Sequence, residues 1–230
     1  MGPLKRASHW GRLACGVADR RADDVRRAAF VARLRKAVWQ HGATLDLDVA
    51  PDLWVGRRVS VTVVPGTHLR ISVGRGCRID DDVRLWLKSG ELVLGDGVDV
   101  RPGVLLSVDG RLVVEGDTPI NTGSVLHCSN DIRVGRRVTF GEYVTVTDSS
   151  HYLPDVDAHP YHHVRTGRVD IGEATWLCAK STVARDATIG KRCVVGAGSV
   201  VVGTVPDDHL ASGVPAVVSP LAQPWTGSTT

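Results

Sequence analysis

A six-residue spacing of aliphatic side chains constrains this chain more than any other feature. Ile171, Leu177, Val183, Ile189, Val195 and Val201 stand six apart, and four residues after each come Thr175, Ser181, Ala187, Cys193, Ser199 and Val205, mostly small. Gly172, Gly190 and Gly196 directly follow three of the aliphatic positions. The same period runs through Val55, Val61, Thr67, Val73, Ile79 and Leu85, restarts at Leu94, Val100, Leu106 and Leu112, and restarts again at Cys128, Val134, Phe140 and Val146. The breaks near 90, 118 and 152–170 read as insertions. A period of six matches neither a helix face nor a simple alternating strand. It matches a short strand followed by a tight corner, with the aliphatic side chain pointing into a narrow prism. Three such faces close one coil, and about seven coils stacked at about 4.8 Å give a prism on the order of 35 Å long. The second inward position must be small because the triangular interior is thin. The predicted fold is all-β, a parallel β-helix of hexapeptide repeats with a short helical segment before it.

That division gives three stretches: a basic helical segment over 1–42, the β-helix over 43–218, and a loosely ordered tail over 219–230 with Pro220 and Pro224. In the first, Phe30, Leu34 and Val38 form one apolar stripe beside Val31, so a helix over about Ala22 to Gln40 is expected to cap the open end of the prism. Residues 1–36 hold ten Lys and Arg against Asp19, Asp23 and Asp24. No nucleic-acid recognition motif accompanies this charge, so it reads as a solvated helix face and no nucleic acid is expected as a partner. No apolar run approaches the roughly 20 residues of a membrane span. Charged residues interrupt Met1 to Arg12, which therefore does not read as a signal peptide, and a cytoplasmic location is expected. Cys15, Cys77, Cys128, Cys178 and Cys193 are odd in number and lack C-x-x-C pairing, against both a disulfide framework and a zinc knuckle.

With this repeat, the chain resembles the hexapeptide-repeat acyltransferases over roughly residues 55–218, whose coils are left-handed. The resemblance is nearest to the galactoside, maltose and polysaccharide O-acetyltransferases. It is carried by Val144-Thr-Val-Thr-Asp-Ser-Ser-His151, which is similar to the segment around their general-base histidine, and by the His-Pro-Tyr-His-His that follows within the longest interruption, Thr147 to Asp170. By that resemblance His151 is the base and Asp148 and Asn121 serve the acceptor. Chemically, a base titrating near 6.5 suits a sugar hydroxyl that must lose its proton while attacking a thioester. Asn121 either contacts the acceptor or satisfies its own backbone at a corner; the acidic residue expected eight positions later is Ser129. No metal is expected. His151, His159, His162 and His163 lack the spacing of two histidines five apart that the carbonic-anhydrase β-helices use.

The donor side rests on Thr175-Trp-Leu-Cys-Ala-Lys-Ser, Val195-Gly-Ala-Gly-Ser-Val-Val and Ala211-Ser-Gly-Val-Pro-Ala216, which resemble the C-terminal coils of acetyl-CoA-dependent members. The resemblance implies that Ala179 offers its backbone N–H to the oxyanion, that Trp176 lines the pantetheine channel, and that Ala197 lies along the CoA arm. It also implies a homotrimer with sites between adjacent prisms. Val202-Gly203 and Val217 stand where members carry phosphate-binding cations, and Cys178 replaces a glycine. Either Lys180, Lys191 and Arg192 meet the CoA phosphates, or the donor is another thioester. The alternative from a different class is a non-catalytic scaffold or binding module.

Overall fold

The computed structural model describes residues 20–154, 157, 159 and 163–222. A helix, Arg20–Gln40, lies across the first coil and buries Phe30, Leu34 and Val38 against the strands Thr44–Val49, Trp54–Val55 and Ser60–Val63. Gly42, at φ 59°, takes the left-handed conformation that ends it, and Ala43 N–H donates to the Val38 carbonyl at 3.0 Å.

The remainder winds into a parallel β-helix with three faces. Face 1 holds eight strands in parallel register, from Thr44–Val49 to Thr204–Val205. Face 2 holds four, from Trp54–Val55 to Pro119–Ile120, and then continues from Thr139–Phe140 to His209–Gly213. Face 3 holds seven, from Ser60–Val63 to Val200–Val201. Inside, stacked Val, Ile and Leu form a single buried cluster running the length of the prism, which Cys77, Cys128 and Cys193 join as small hydrophobes. Thr175, Ser181, Ala187 and Ser199 are buried at the second inward position, as a thin interior demands.

The coils are not uniform, and their departures from eighteen residues fall at one place. From face 1 to face 2 the inward residues are always six apart, as in Val73 to Ile79 or Ile171 to Leu177. From face 2 to face 3 they are again six apart, as in Val100 to Leu106 or Val195 to Val201. Every change of length lies on the edge where face 3 returns to face 1. There the spacing between neighbouring coils runs from 24 residues at Thr44 and His68, through 20 at Glu91 and Arg111, to 37 at Asn130 and Gly167 and 16 at Thr188 and Thr204.

This geometry corrects three expectations. Thr67 follows six after Val61 but sits in the turn after Ser60–Val63, where its hydroxyl donates to the Val64 carbonyl. The spacing survives there only because a 24-residue coil is four sixes long. No insertion occurs near 118. Leu112 registers with Leu92, not Leu94, because the middle coils present two inward residues on face 3 and two on face 1, as in Leu106 and Val108, then Leu112 and Val114. Finally, Ala216–Pro220 pairs antiparallel with His209–Gly213, so ordered structure continues past the boundary at Val218. The sheet edge left by the last coil gains its hydrogen bonds from that strand.

Candidate active site

Most of the residues singled out from the sequence stand on the two edges of face 3. On the edge entering it from face 2, four consecutive corners stack: Asn121-Thr122-Gly123, Gly141-Glu142-Tyr143, Cys178-Ala179-Lys180 and Gly196-Ala197-Gly198. Tyr143 N–H donates to Thr122 at 2.9 Å, Lys180 N–H to Glu142 at 2.8 Å and Gly198 N–H to Ala179 at 3.0 Å. The third residue of each corner has positive φ, including Tyr143 at 57° and Lys180 at 61°. Asn121, Ala179, Lys180 and Ala197 therefore form one row. Trp176 lies on the outer surface of face 2 three residues before Ala179, between Thr139 and Val194, and is 42% exposed. Gly141 is required here: a Cβ on it would lie 2.4 Å from the backbone nitrogen of Ala179.

Asp148 and His151 stand on the opposite edge, where face 3 returns to face 1. The chain leaves the prism through Ser149–His151, which pairs antiparallel with Val164–Thr166. His151 itself is exposed. Asp148 is fully buried; its two oxygens accept the backbone N–H groups of Ser129 and Asn130 at 2.7 Å each, and its carbonyl accepts Gly167 N–H. Fully buried and bonded through each oxygen to a backbone amide, Asp148 anchors the root of the His151 hairpin and does not itself reach the surface where an acceptor was expected to meet it. Asn130 Nδ2 also donates to the Gly167 carbonyl at 2.8 Å, and Ser129 Oγ to Ser149 Oγ at 3.0 Å.

A face-3 strand such as Val125–Cys128 is four residues long, about 13 Å at the usual rise. Within one chain, the row of Asn121 and Ala179 is separated from His151 by at least that width. Of the three cations considered for phosphates, only Lys180 stands on the Ala179 edge. Lys191 and Arg192 occupy a corner between faces 1 and 2, and Arg192 is committed to Asp208 through two bonds of 2.6 Å.

Sequence reasoning missed two residues. His127 projects outward from face 3, in register with Thr147 and one coil from the Asp148 anchor. Burial, then the charges of Lys88 and His151, push its pKa down, against Asp148 and Asp109, which push it up. Tyr143 presents its ring over Gly123 on the other edge. Neither belongs to a motif; only the register places them. The Cys128 thiol is pushed up to about 12, by burial first and by Asp148 next, and the Cys178 thiol is raised by burial, so neither is an activated nucleophile. In the long loop, the His163 carbonyl accepts Tyr152 N–H at 3.1 Å, while Arg165 covers the Tyr152 ring. His162 lies outside the described residues. Among the described residues no group of three or more His, Cys, Asp or Glu is placed to hold a metal, and no helix is long and apolar enough to cross a membrane.

A parallel β-helix with these two edges defines a class, and the comparisons agree on it. Residues 168–203 match the family model for the bacterial transferase hexapeptide, six repeats. The chain is 28% identical over 167 residues to a probable acetyltransferase of Mycobacterium tuberculosis, covering 72% of this chain and 49% of that protein. It is 34% identical over 128 residues to a galactoside O-acetyltransferase of Lactococcus lactis, covering 54% of this chain and 60% of that one. Among solved structures, a hexapeptide-repeat acetyltransferase of Vibrio cholerae complexed with acetyl coenzyme A matches at a TM-score of 0.52 and 28% identity, over 56% of this chain and 71% of its own. Repeat, fold and relatives make this chain similar to the hexapeptide-repeat transferases, with the family-model match confined to residues 168–203. It spans about half the length of the first of these relatives and three fifths of the second.

Proposed function

We propose that the protein is an acyl-CoA-dependent O-acyltransferase that acetylates a saccharide hydroxyl, working as a homotrimer with His151 as general base. The observation that carries the reading is the division of the site between two edges of one face. His151 stands on one and the row of Ala179 and Lys180 on the other, with the face between them. One prism cannot close that gap. Three prisms around an axis can, because each then lays its His151 edge beside its neighbour's Ala179 edge. The relatives named as acetyltransferases and the acetyl-CoA complex support the donor.

Acetyl-CoA supplies an activated acyl group as a thioester. Lys180, exposed and without a carboxylate partner among the described residues, is the cation available to a donor phosphate on that edge. In the reaction the imidazole of His151 takes the proton of the acceptor hydroxyl as its oxygen attacks the thioester carbonyl. The backbone N–H of Ala179 from the neighbouring copy faces the developing oxyanion. Collapse breaks the C–S bond, and the imidazolium returns its proton to the departing thiolate. Asp148 takes no proton in this scheme; it fixes where the hairpin leaves the prism.

His151→Ala is expected to keep the fold and acetyl-CoA binding while transfer to one fixed acceptor falls by about 10²–10⁴-fold. His163→Ala is expected to matter far less. Equal rates for His151→Ala and the unmodified protein would reject the base assignment, and a monomeric mass by light scattering at micromolar concentration would reject the shared site.

A further inference from the structure

Resting on that reading of the site, we infer that the acceptor is an anionic oligosaccharide, held by Trp86 and Lys88 some three coils away from the hydroxyl that His151 deprotonates. The outward row of face 3 runs in register from Trp86 through Ser107 and His127 to Thr147. The edge beside it carries Lys88, Asp109, Ser129 and Ser149 one coil apart, and the last of these begins the His151 hairpin. Three strand spacings are about 14 Å, longer than one sugar ring. A monosaccharide at His151 cannot reach Trp86; a chain lying along the edge can.

Three features of that row point to a glycan with acidic groups. Trp86 is 42% exposed on the outside of the sheet, where an apolar ring has no core to fill and presents a flat surface to the C–H face of a sugar. Lys88 holds its ammonium 4.6 Å from the ring centroid of Trp86. Among the described residues neither Lys88 nor its neighbour Arg84 has a carboxylate within ion-pair distance, whereas Arg58, Arg101, Arg137 and Arg192 elsewhere on the prism are each paired. The strands of face 3 contain no Asp or Glu at all. Two uncompensated cations beside an exposed aromatic ring favour a ligand that brings negative charge and a flat apolar face together.

A third polar group awaits a partner there. Ser107 Oγ is fully buried between Trp86 and His127 in the row and has no hydrogen-bond partner among the described residues. A buried hydroxyl without a partner costs free energy that a ligand hydroxyl entering between the two rings recovers. Asp109 bears on which anion is bound. It stands between Lys88 and Ser129, exposed and outside any ion pair. A nucleotide sugar reacting at His151 would put its diphosphate beside this carboxylate. An oligosaccharide places hydroxyls there, which a carboxylate accepts, and its acidic group farther out beside Lys88 and Arg84.

The test separates binding from transfer. In full-length His151→Ala, with no acyl donor present, calorimetric titration with tetragalacturonate is compared with galacturonate and with maltotetraose, a neutral chain of equal length. Tetragalacturonate is expected to bind on the order of tenfold more tightly than either, as one stacked ring and one ion pair imply. Trp86→Ala in the same background is expected to remove the advantage over the monomer, and Lys88→Gln the advantage over maltotetraose. Equal affinities for the three sugars, no binding of tetragalacturonate, or preferences unchanged in both variants overturn the inference. So does a fall in oligomeric mass for Trp86→Ala, which would make the ring a contact between copies. Length and charge preference without acetyl transfer by the unmodified protein would reject the enzyme reading and leave the groove standing. Transfer with no such preference would do the reverse.

Discussion

Removing the Asp148 carboxylate is the sharpest perturbation the structure offers, because the group is buried and its contacts are few and definite. Its oxygens accept two backbone N–H groups, from Ser129 and Asn130, at 2.7 Å each. In Asp148→Ala both part-buried donors lose a charged acceptor, at about 1–3 kcal/mol each, so the expected loss is at most about 2–6 kcal/mol, toward the lower end where water replaces the acceptor at Asn130. Asp148→Asn keeps one acceptor oxygen and turns an NH₂ toward the second amide, so it is expected to lose about half as much. For a chain of this size each kcal/mol lowers Tm by roughly 2–4 °C. Coils of a repeat protein open partly independently, so the more discriminating assay is amide exchange resolved by residue. Ser129 and Asn130 should lose protection in Asp148→Ala, Gly167 to a lesser degree, while Thr182 and Val195 keep theirs. Catalytically, kcat on a fixed acceptor should fall with KM for the donor unchanged, since the base is displaced and the Ala179 edge is not. A variant melting within about 1 °C of the parent, with Ser129 and Asn130 still protected, would refute the anchoring role.

Two further outcomes follow from the core and from His127. Val195→Asp puts an unpaired carboxylate where Val195 is fully buried, a cost of several kcal/mol, and is expected to abolish folding; wild-type melting would overturn the register. The His127 pKa is depressed in the folded state, so between the unfolded value near 6.5 and the lower folded one the unfolded chain binds more protons. Stability therefore falls as pH drops through that window, and His127→Gln should show a smaller Tm decrease between pH 7.5 and 5.5 than the parent; an identical decrease would remove His127 as a cause.

The faces were legible in the sequence because an inward side chain in a stacked coil must be aliphatic whatever the coil does elsewhere, and Ile171 to Val201 keep that rule without interruption. Coil length was not legible. A two-residue excess at Asp109-Gly110 or Ser129-Asn130 shifts the phase without marking itself, and hence Leu112 was matched to Leu94. The same blindness explains the site. His151 could be named from its flanking residues, but Asp148 within that motif looks like a ligand-binding carboxylate until two backbone amides are seen to occupy it. His127 carries no motif, and only the pairing of Val125–Cys128 with Thr145–Thr147 brings it beside the hairpin.

The placement of the insertions bears on how such a prism divides labour. Two of its three edges keep six-residue spacing from the first coil to the last, while the edge from face 3 to face 1 takes every excess residue, including the whole His151 hairpin. An insertion on a single edge costs little, because the inward positions of all three faces stay in register on either side of it. An insertion on the edge carrying Ala179 would move one corner relative to those stacked on it, breaking the chain of hydrogen bonds from Tyr143 to Thr122, Lys180 to Glu142 and Gly198 to Ala179. In the proposed trimer this makes the donor side a fixed ruler of corners about 4.8 Å apart. The side bearing the base, Lys88 and Asp109 is free to lengthen or shorten coil by coil. Acceptor specificity is then expected to sit on the variable edge of one subunit and thioester recognition on the constant edge of its neighbour.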